Sequence, residues 1–309
     1  MKKRFFNIVT TTGLFAFIFI FLFNAKKYSE VALEGLRIFY LNVLPCLFPF
    51  FVISKLLVEL NCLDNFYKVF YPVTRRFVAE KEGAYVFLIS LVSGFPVGVS
   101  TATEMCQRGI LSKESCENVC TFSNFAGPIF VIGTVGNLFD STKIALVLYL
   151  SSILGGLING LIFCKKNVVF YPKKLFYLSE EKSKSVFYDC IYSSVQNILF
   201  VGATIVIFYL TGKMIFSFLP TLPLQAEAII QGFLEMTGGV RLAAQLPDRF
   251  SGVFIASMII GFGGLCVYLQ CCAFWQKCGI NCGKMLLKKA TQAVASSLIC
   301  LILLLIFGV

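Results

Sequence analysis

The sequence predicts an all-α polytopic membrane protein. It should have about seven transmembrane helices, two re-entrant or half-helix segments, and an inverted-topology internal repeat with glycine-broken helices. Three observations carry this prediction. Hydrophobic residues make up 58% of the 309-residue chain and charged residues only 14%, against about 25% charged in a soluble domain. Apolar runs of about 20 residues, enough to cross a bilayer, recur along the chain. One of them, LISLVSGFPVGVSTATEM at 88–105, is broken in its middle by Gly94, Pro96 and Gly98. Gly and Pro weaken a helix by about 1 and about 3 kcal/mol relative to Ala. In lipid, the backbone groups they free must be satisfied within the protein.

The first element is MKKRFFNIVTTTGLFAFIFIFLF. Its basic start and apolar body resemble a secretory signal. The stretch from Phe5 to Phe23 is too long for a signal core, however, and no A-x-A site follows. Residues 1–34 are therefore expected to carry an uncleaved anchor helix. Further spans are expected at 36–58, 84–104, 143–164, 190–215, 252–275 and 287–308. The stretches 123–139 and 224–246 are too short or too polar to span cleanly. They suit re-entrant hairpins or half-helices, which survive at membrane depth only when buried in protein or lining water.

Charge sets the orientation. The formal net charge is +11, and its cations cluster between apolar runs, a positive-inside pattern rather than a nucleic-acid stripe. With the N-terminus cytoplasmic, one side holds Lys2, Lys3 and Arg4, four basic residues in 60–83, six in 165–188 and four in 276–289. These are seventeen of the 27. The opposite loops hold Lys26, Lys27, Arg37, Arg108, Lys113, Lys143, Arg241 and Arg249. The segment 173–185, KKLFYLSEEKSKS, falls in a charged cytoplasmic linker, 167–188, that separates a first repeat at 35–166 from a second at 189–309.

The repeat rests on VFLISLVSGF at 86–95, which aligns without gaps on VFIASMIIGF at 253–262. Both continue through more glycine, and both later reach a Gly-Ile pair, at 109–110 and 279–280. Upstream, NVLPCLFPFFVI at 42–53 echoes NILFVGATIVIF at 197–208. In the span assignment above, 84–104 runs outward and 252–275 inward. Like sequences in opposite directions are the mark of secondary transporters, which bind solute at the midplane between interrupted helices.

A broken helix exposes backbone N–H groups and a partial positive charge at the start of its second half, an anion site with no buried cation. In the first repeat the expected solute-binding residues are Ser93, Gly94, Gly98, Ser100 and Thr101, with Ser123, Asn124 and Gly127 from SNFAGPIFVIGTVGN. In the second they are Thr237, Gly238 and Gly239 of EMTGG, with Gly263, Gly264 and Gln270. Small residues also serve close helix packing. Glu104 and Glu235 are candidates for proton coupling, since ionisable groups at this depth are costly. The alternative places Glu104 beside Arg108 at an interface and Glu235 beside Arg241 in a surface hairpin. Lys55 and Lys213 are expected to snorkel.

The chain has no histidine, which removes the usual general base and the commonest metal ligand. It has no G-x-S-x-G either, so no enzyme activity, cofactor or metal is expected. Its 13 cysteines mostly lie in apolar stretches, where thiols act as small hydrophobes. Cys271, Cys272, Cys278 and Cys282 form one local cluster without paired C-x-x-C spacing.

SGFPVG, SNFAGPIFVIGTVG, EMTGG and GFGGLCVYLQ occur in this order. In this the chain resembles the YlbJ/SpoVV sporulation integral membrane proteins, within the wider group carrying the nucleoside-recognition Gate domain. Phe95 stands where that pattern leads one to expect Tyr, which removes a hydroxyl. The resemblance covers nearly the whole chain from about residue 35. It implies a multi-pass protein of the cell membrane or a forespore membrane in a spore former. It also implies movement of dipicolinate, a small aromatic dicarboxylate. Lipid and a small anion are then the expected partners, nucleic acid is not, and a homo-oligomer is compatible. The rival readings are a non-transporting structural component of a sporulation membrane complex, and a transporter of nucleosides or metal ions.

Overall fold

A computed structural model describes residues 2–60, 67–164, 186–219 and 221–308, and among these every regular element is helical. The connector 173–185 lies outside the described residues. Helix α1 (Lys2–Phe23) packs through Phe17, Ile20 and Phe21 on Tyr28, Leu210 and Met214. Its Leu14, Phe15, Ile18, Phe19 and Leu22 face outward, an apolar surface suited to acyl chains rather than water. α2 (Ala25–Ile38) and α3 (Leu44–Glu59) join through a π-helical turn, Phe39–Val43, into one apolar span. A short α4 (Tyr67–Thr74) then packs on α5.

The next two helices form a hairpin. α5 (Gly83–Ser93) ends at Gly94, whose φ of +72° favours glycine, and α6 (Val97–Gln107) returns along it. A Cβ on Gly98 would lie 2.0 Å from Ser90 Oγ. That contact is impossible along one continuous helix, where eight residues cover about 12 Å. Residues 84–104 are therefore a re-entrant hairpin and not the outward span that composition suggests. Apolar content cannot tell two buried half-length helices from one full-length helix, because both need hydrophobic surfaces of equal total length.

The chain then crosses in two pieces. α7 (Lys113–Phe122) leads into an unwound stretch, 123–128, and then a π-helical turn (Ile129–Val135) with α8 (Gly136–Leu138). α9 (Thr142–Phe163) runs back alongside. Its start packs at Gly136 through Ala145, and its end packs at Phe122 through Gly156 and Gly160. Asn159 Nδ2 donates to the Thr121 carbonyl at 3.2 Å. So 123–139 is the second half of a broken span, the half-helix of the two expected forms rather than the re-entrant hairpin.

The second half repeats this order. α10 (Val186–Phe216) packs on α2 and α3, with Gly35 against Val206 and Gly202 against the Phe39 ring. α11 (Leu224–Leu234) and α12 (Met236–Ala244) form a hairpin whose arms touch at Gly232 and Gly239, where an added Cβ would lie 2.2 Å from backbone. This segment, 224–246, is the re-entrant element that its polarity suggests. α13 (Arg249–Phe262) and α14 (Gly264–Trp275) cross in two pieces, broken at Gly263 and Gly264 (φ +85° and +77°). α15 (Cys282–Phe307) closes the chain, packing on α9 and α13 through Ser257, Gly261 and Ser296. Small residues allow this close approach.

Two ends can be assigned. At one, the basic end, Arg108 bonds Glu59, Lys55 Nζ donates to Ser193 Oγ at 2.7 Å, and Cys278 Sγ donates to the Thr103 carbonyl at 3.2 Å. At the other, the far end, Tyr28 meets Ser217 at 2.9 Å and Arg249 Nη2 donates to the Phe139 carbonyl at 2.5 Å. The first hairpin therefore enters from the basic end and the second from the far end, and each half of the chain is the inverse of the other. Arg108 and Lys113 move to the basic end, which sharpens the charge asymmetry. The VFLISLVSGF and VFIASMIIGF copies sit on non-equivalent elements, one arm of a hairpin and half of a broken span. The upstream pair, 42–53 and 197–208, does lie on equivalent spans.

Candidate functional site

The two hairpin tips meet the two broken spans backbone to backbone. A Cβ on Gly94 would lie 2.1 Å from the Gly127 amide nitrogen, and one on Gly127 would lie 2.5 Å from the Ser93 carbonyl. The Phe95 amide donates to the Phe125 carbonyl at 2.9 Å. Groups freed by the two interruptions thus satisfy each other. In the second half Gly264 packs closely against the backbone of Gly232, Leu234 and Met236. The Phe95 ring reaches across the halves to Gly263, 3.3 Å from where its Cβ would stand.

Between these contacts lies a cavity of about 100 Å³. A buried water needs about 10–15 Å³ on the same measure, so the space holds several waters or a small solute. Ser93, Phe95 and Pro96 of the first tip line it, and Glu235, Met236 and Thr237 of the second. The broken spans add Gly127, Phe130, Thr134, Cys266 and Gln270, and α2–α3 and α10 supply Asn42, Phe50, Val201 and Ile205. Asn42 and Thr134 belong to the two π-helical turns, a distortion frequent at functional sites. The wall is mostly apolar with a few convergent polar groups, the usual make-up of a ligand pocket.

Three helix N-termini open near this space, and they differ. α12 is capped by its own carboxylate: Glu235 Oε1 accepts from the Thr237 amide at 2.8 Å and Oε2 from the Gly238 amide at 2.7 Å. Glu235 is buried at 5% exposure, so the positive end of α12 already holds a negative group. α6 begins after Pro96 and α14 after Gly263, neither with a side-chain cap. These two, one from each half, carry no side-chain acceptor of their own.

Behind the first broken span lies a buried amine. Lys289 of α15, 3% exposed, donates from Nζ to the Asn124 carbonyl at 2.8 Å and to Gln292 Oε1 at 3.1 Å. Gln292 Nε2 donates to the same carbonyl at 3.1 Å. Nζ also stands 5.3 Å from the centre of the Phe95 ring. Lys289 thus ties α15, the unwound stretch and the first tip together, a role for which 123–128 needs donors.

The sequence-predicted residues divide. Ser93, Gly127, Thr237 and Gln270 line the cavity with Glu235. Gly94, Gly239 and Gly264 supply close approach to other backbone around it, and Gly98, Gly238 and Gly263 to the side chains of Ser90, Gln231 and Phe95. Asn124 lies behind, with Cys271 Sγ 3.9 Å from its Oδ1. Thr101 and Ser123 bond carbonyls of their own helices. Ser100 and Glu104 sit apart, in a polar vestibule of about 430 Å³ at the basic end. There Arg108 pairs with Glu104 at 2.6 Å, and Lys55 stands 3.6 Å from it. The four sequence-cluster cysteines do not gather as one group: Cys271 faces Asn124, Cys282 neighbours Cys272, with its Sγ 3.9 Å from the Cys272 carbonyl, and Cys278 joins Cys106 and Cys116. Thr134 belongs to the SNFAGPIFVIGTVGN segment that the sequence offered as facing the first break, whereas Asn42 and Lys289 were not singled out by sequence. Lys289 sits at the edge of a basic loop and carries no local signal of burial.

The chain is similar along nearly its whole length to the sporulation integral membrane protein YlbJ of Bacillus subtilis strain 168. The two are 24% identical over 337 residues, spanning 96% of this chain and 83% of the relative. No family model matches the chain, and no solved structure matches it.

Proposed function

We propose that this chain, a YlbJ-type sporulation integral membrane protein, is a secondary transporter for a small anionic metabolite. One observation carries the reading: two hairpins enter from opposite ends and meet beside two broken spans around one cavity. Inverted repeats with interrupted helices at mid-depth are the architecture of alternating access. A non-transporting scaffold has no need to hold polar groups inside such a space, where their burial is costly.

Dipicolinate is the solute this reading favours. Phe50, Phe95 and Phe130 offer apolar walls for a ring, and the N-termini of α6 and α14, which carry no side-chain cap, suit carboxylates. Glu235 is then the coupling group. A bound dianion beside its carboxylate meets like-charge repulsion, which a proton on Glu235 removes, so solute and proton travel together. The basic end faces the cytoplasm by the positive-inside rule, and the forespore membrane is the proposed location.

The test is uptake of labelled dipicolinate by liposomes holding the purified chain. Saturable uptake is expected, with a drop of about tenfold in Thr134→Val, the scale of one lost hydrogen bond to a charged group. Folded protein that moves dipicolinate no faster than empty liposomes contradicts the reading. Uptake of nucleosides or divalent metals instead would reassign the solute.

A further inference from the structure

Cys106 lies in the last turn of α6, Cys116 in the first turn of α7, and Cys278 closes the short 3-10 turn after α14. They are 10 and 162 residues apart in sequence, yet their Sγ atoms all lie within 4.8 Å of one another. Cys116 is fully buried and the other two are half-buried, so one face of the trio remains open to an entering ion. Two of the ligands come from the first half and one from the second.

We infer that this trio is a binding site for a thiophilic metal ion, Zn²⁺ or Cu⁺, distinct from the solute cavity. Thiolate sulfur selects these ions over hard cations. With metal–sulfur bonds of about 2.3 Å, three sulfurs around one ion stand about 4.0 Å apart, so closure asks for shifts of under about 1 Å. Binding replaces three S–H bonds by three metal–sulfur bonds and releases three protons, with no change of oxidation state. The Thr103 carbonyl that accepts from Cys278 Sγ then loses its donor. Around Zn²⁺ the site carries one net negative charge. Lys113 balances it, its Nζ standing 3.2 Å from where a Gly279 Cβ would be, beside Cys278. A loaded site ties the returning arm of the first hairpin, the first broken span and the end of the second broken span at the basic end. Metal occupancy would thus set how far the two halves separate there.

The experiment uses the full chain, purified in detergent with a thiol-free reductant and titrated with Co²⁺, Zn²⁺ and Cu⁺. One equivalent should bind per chain, with a sulfur-to-cobalt charge-transfer band for Co²⁺. Cys278→Ser and Cys106→Ser should each weaken binding at least tenfold, while Cys300→Ser should not. A readout on the unaltered chain covers variants that fail to fold. Mass spectrometry should find Cys106, Cys116 and Cys278 protected from alkylation by the metal and released by a chelator. Stoichiometry unchanged in both trio variants, or equal alkylation of the three with and without metal, would overturn the site. A Cys106–Cys116 disulfide in reduced preparations would overturn it too.

Discussion

At the scale of single residues, Glu235 does two things that can be separated. Its carboxylate caps α12 through the Thr237 and Gly238 amides, and it faces the cavity. Loss of a helix cap costs about 0.5–2 kcal/mol. Glu235→Gln keeps one acceptor oxygen and the side-chain volume, so the tip should fold with a loss toward the low end of that range. The charge is gone, however, and with it the proton carrier. Wild-type uptake should accelerate when an inward proton gradient is imposed, and Glu235→Gln should take up solute at a rate indifferent to the gradient. Equal gradient dependence in the two would remove Glu235 from coupling. The residue itself was legible in EMTGG, because a carboxylate beside paired glycines in an apolar segment is costly without purpose. Lys289 was not. Nothing near KKATQ distinguishes a lysine at a loop edge from one drawn over Phe95 and onto the Asn124 carbonyl, contacts more than 160 residues away.

At the scale of elements, each hairpin depends on a reversal that only glycine or an extended residue can make. Gly94 combines positive φ with backbone of Gly127 at 2.1 Å from its would-be Cβ. Strain in such a conformation costs about 1–3 kcal/mol, and the overlap adds to it, because backbone cannot rotate away. Gly109 shares the positive φ, at +71°, but has nothing within 4 Å. Gly94→Ala should therefore lower the thermal midpoint in detergent much more than Gly109→Ala does. Equal midpoints would mean that the first tip is not packed against the unwound span. The breaks at Gly94 and at Gly263–Gly264 were visible in sequence as glycine within apolar runs. Their geometry was not, since a chain that turns back and a chain that unwinds and continues use the same residues. Only Gly98 against Ser90, and Gly239 against Gly232, separate the cases.

At the scale of the whole molecule, composition and lysine placement were enough for a polytopic helical protein with a basic side. The approximate number of crossings was legible as well. The exchange between 84–104 and 123–139 was not, because two compensating errors leave every later loop on the same side. The cavity depends on that exchange: its tips meet only if the first hairpin returns to the end it left. Side-specific labelling of single cysteines, introduced into a cysteine-free chain in sealed vesicles, tests this directly. Gln107→Cys and Lys284→Cys should react with an impermeant maleimide from one and the same face, and Pro247→Cys only from the other. Labelling of Gln107→Cys together with Pro247→Cys, from the face opposite Lys284→Cys, would make residues 84–104 a through-going span and leave no pair of tips to enclose a solute.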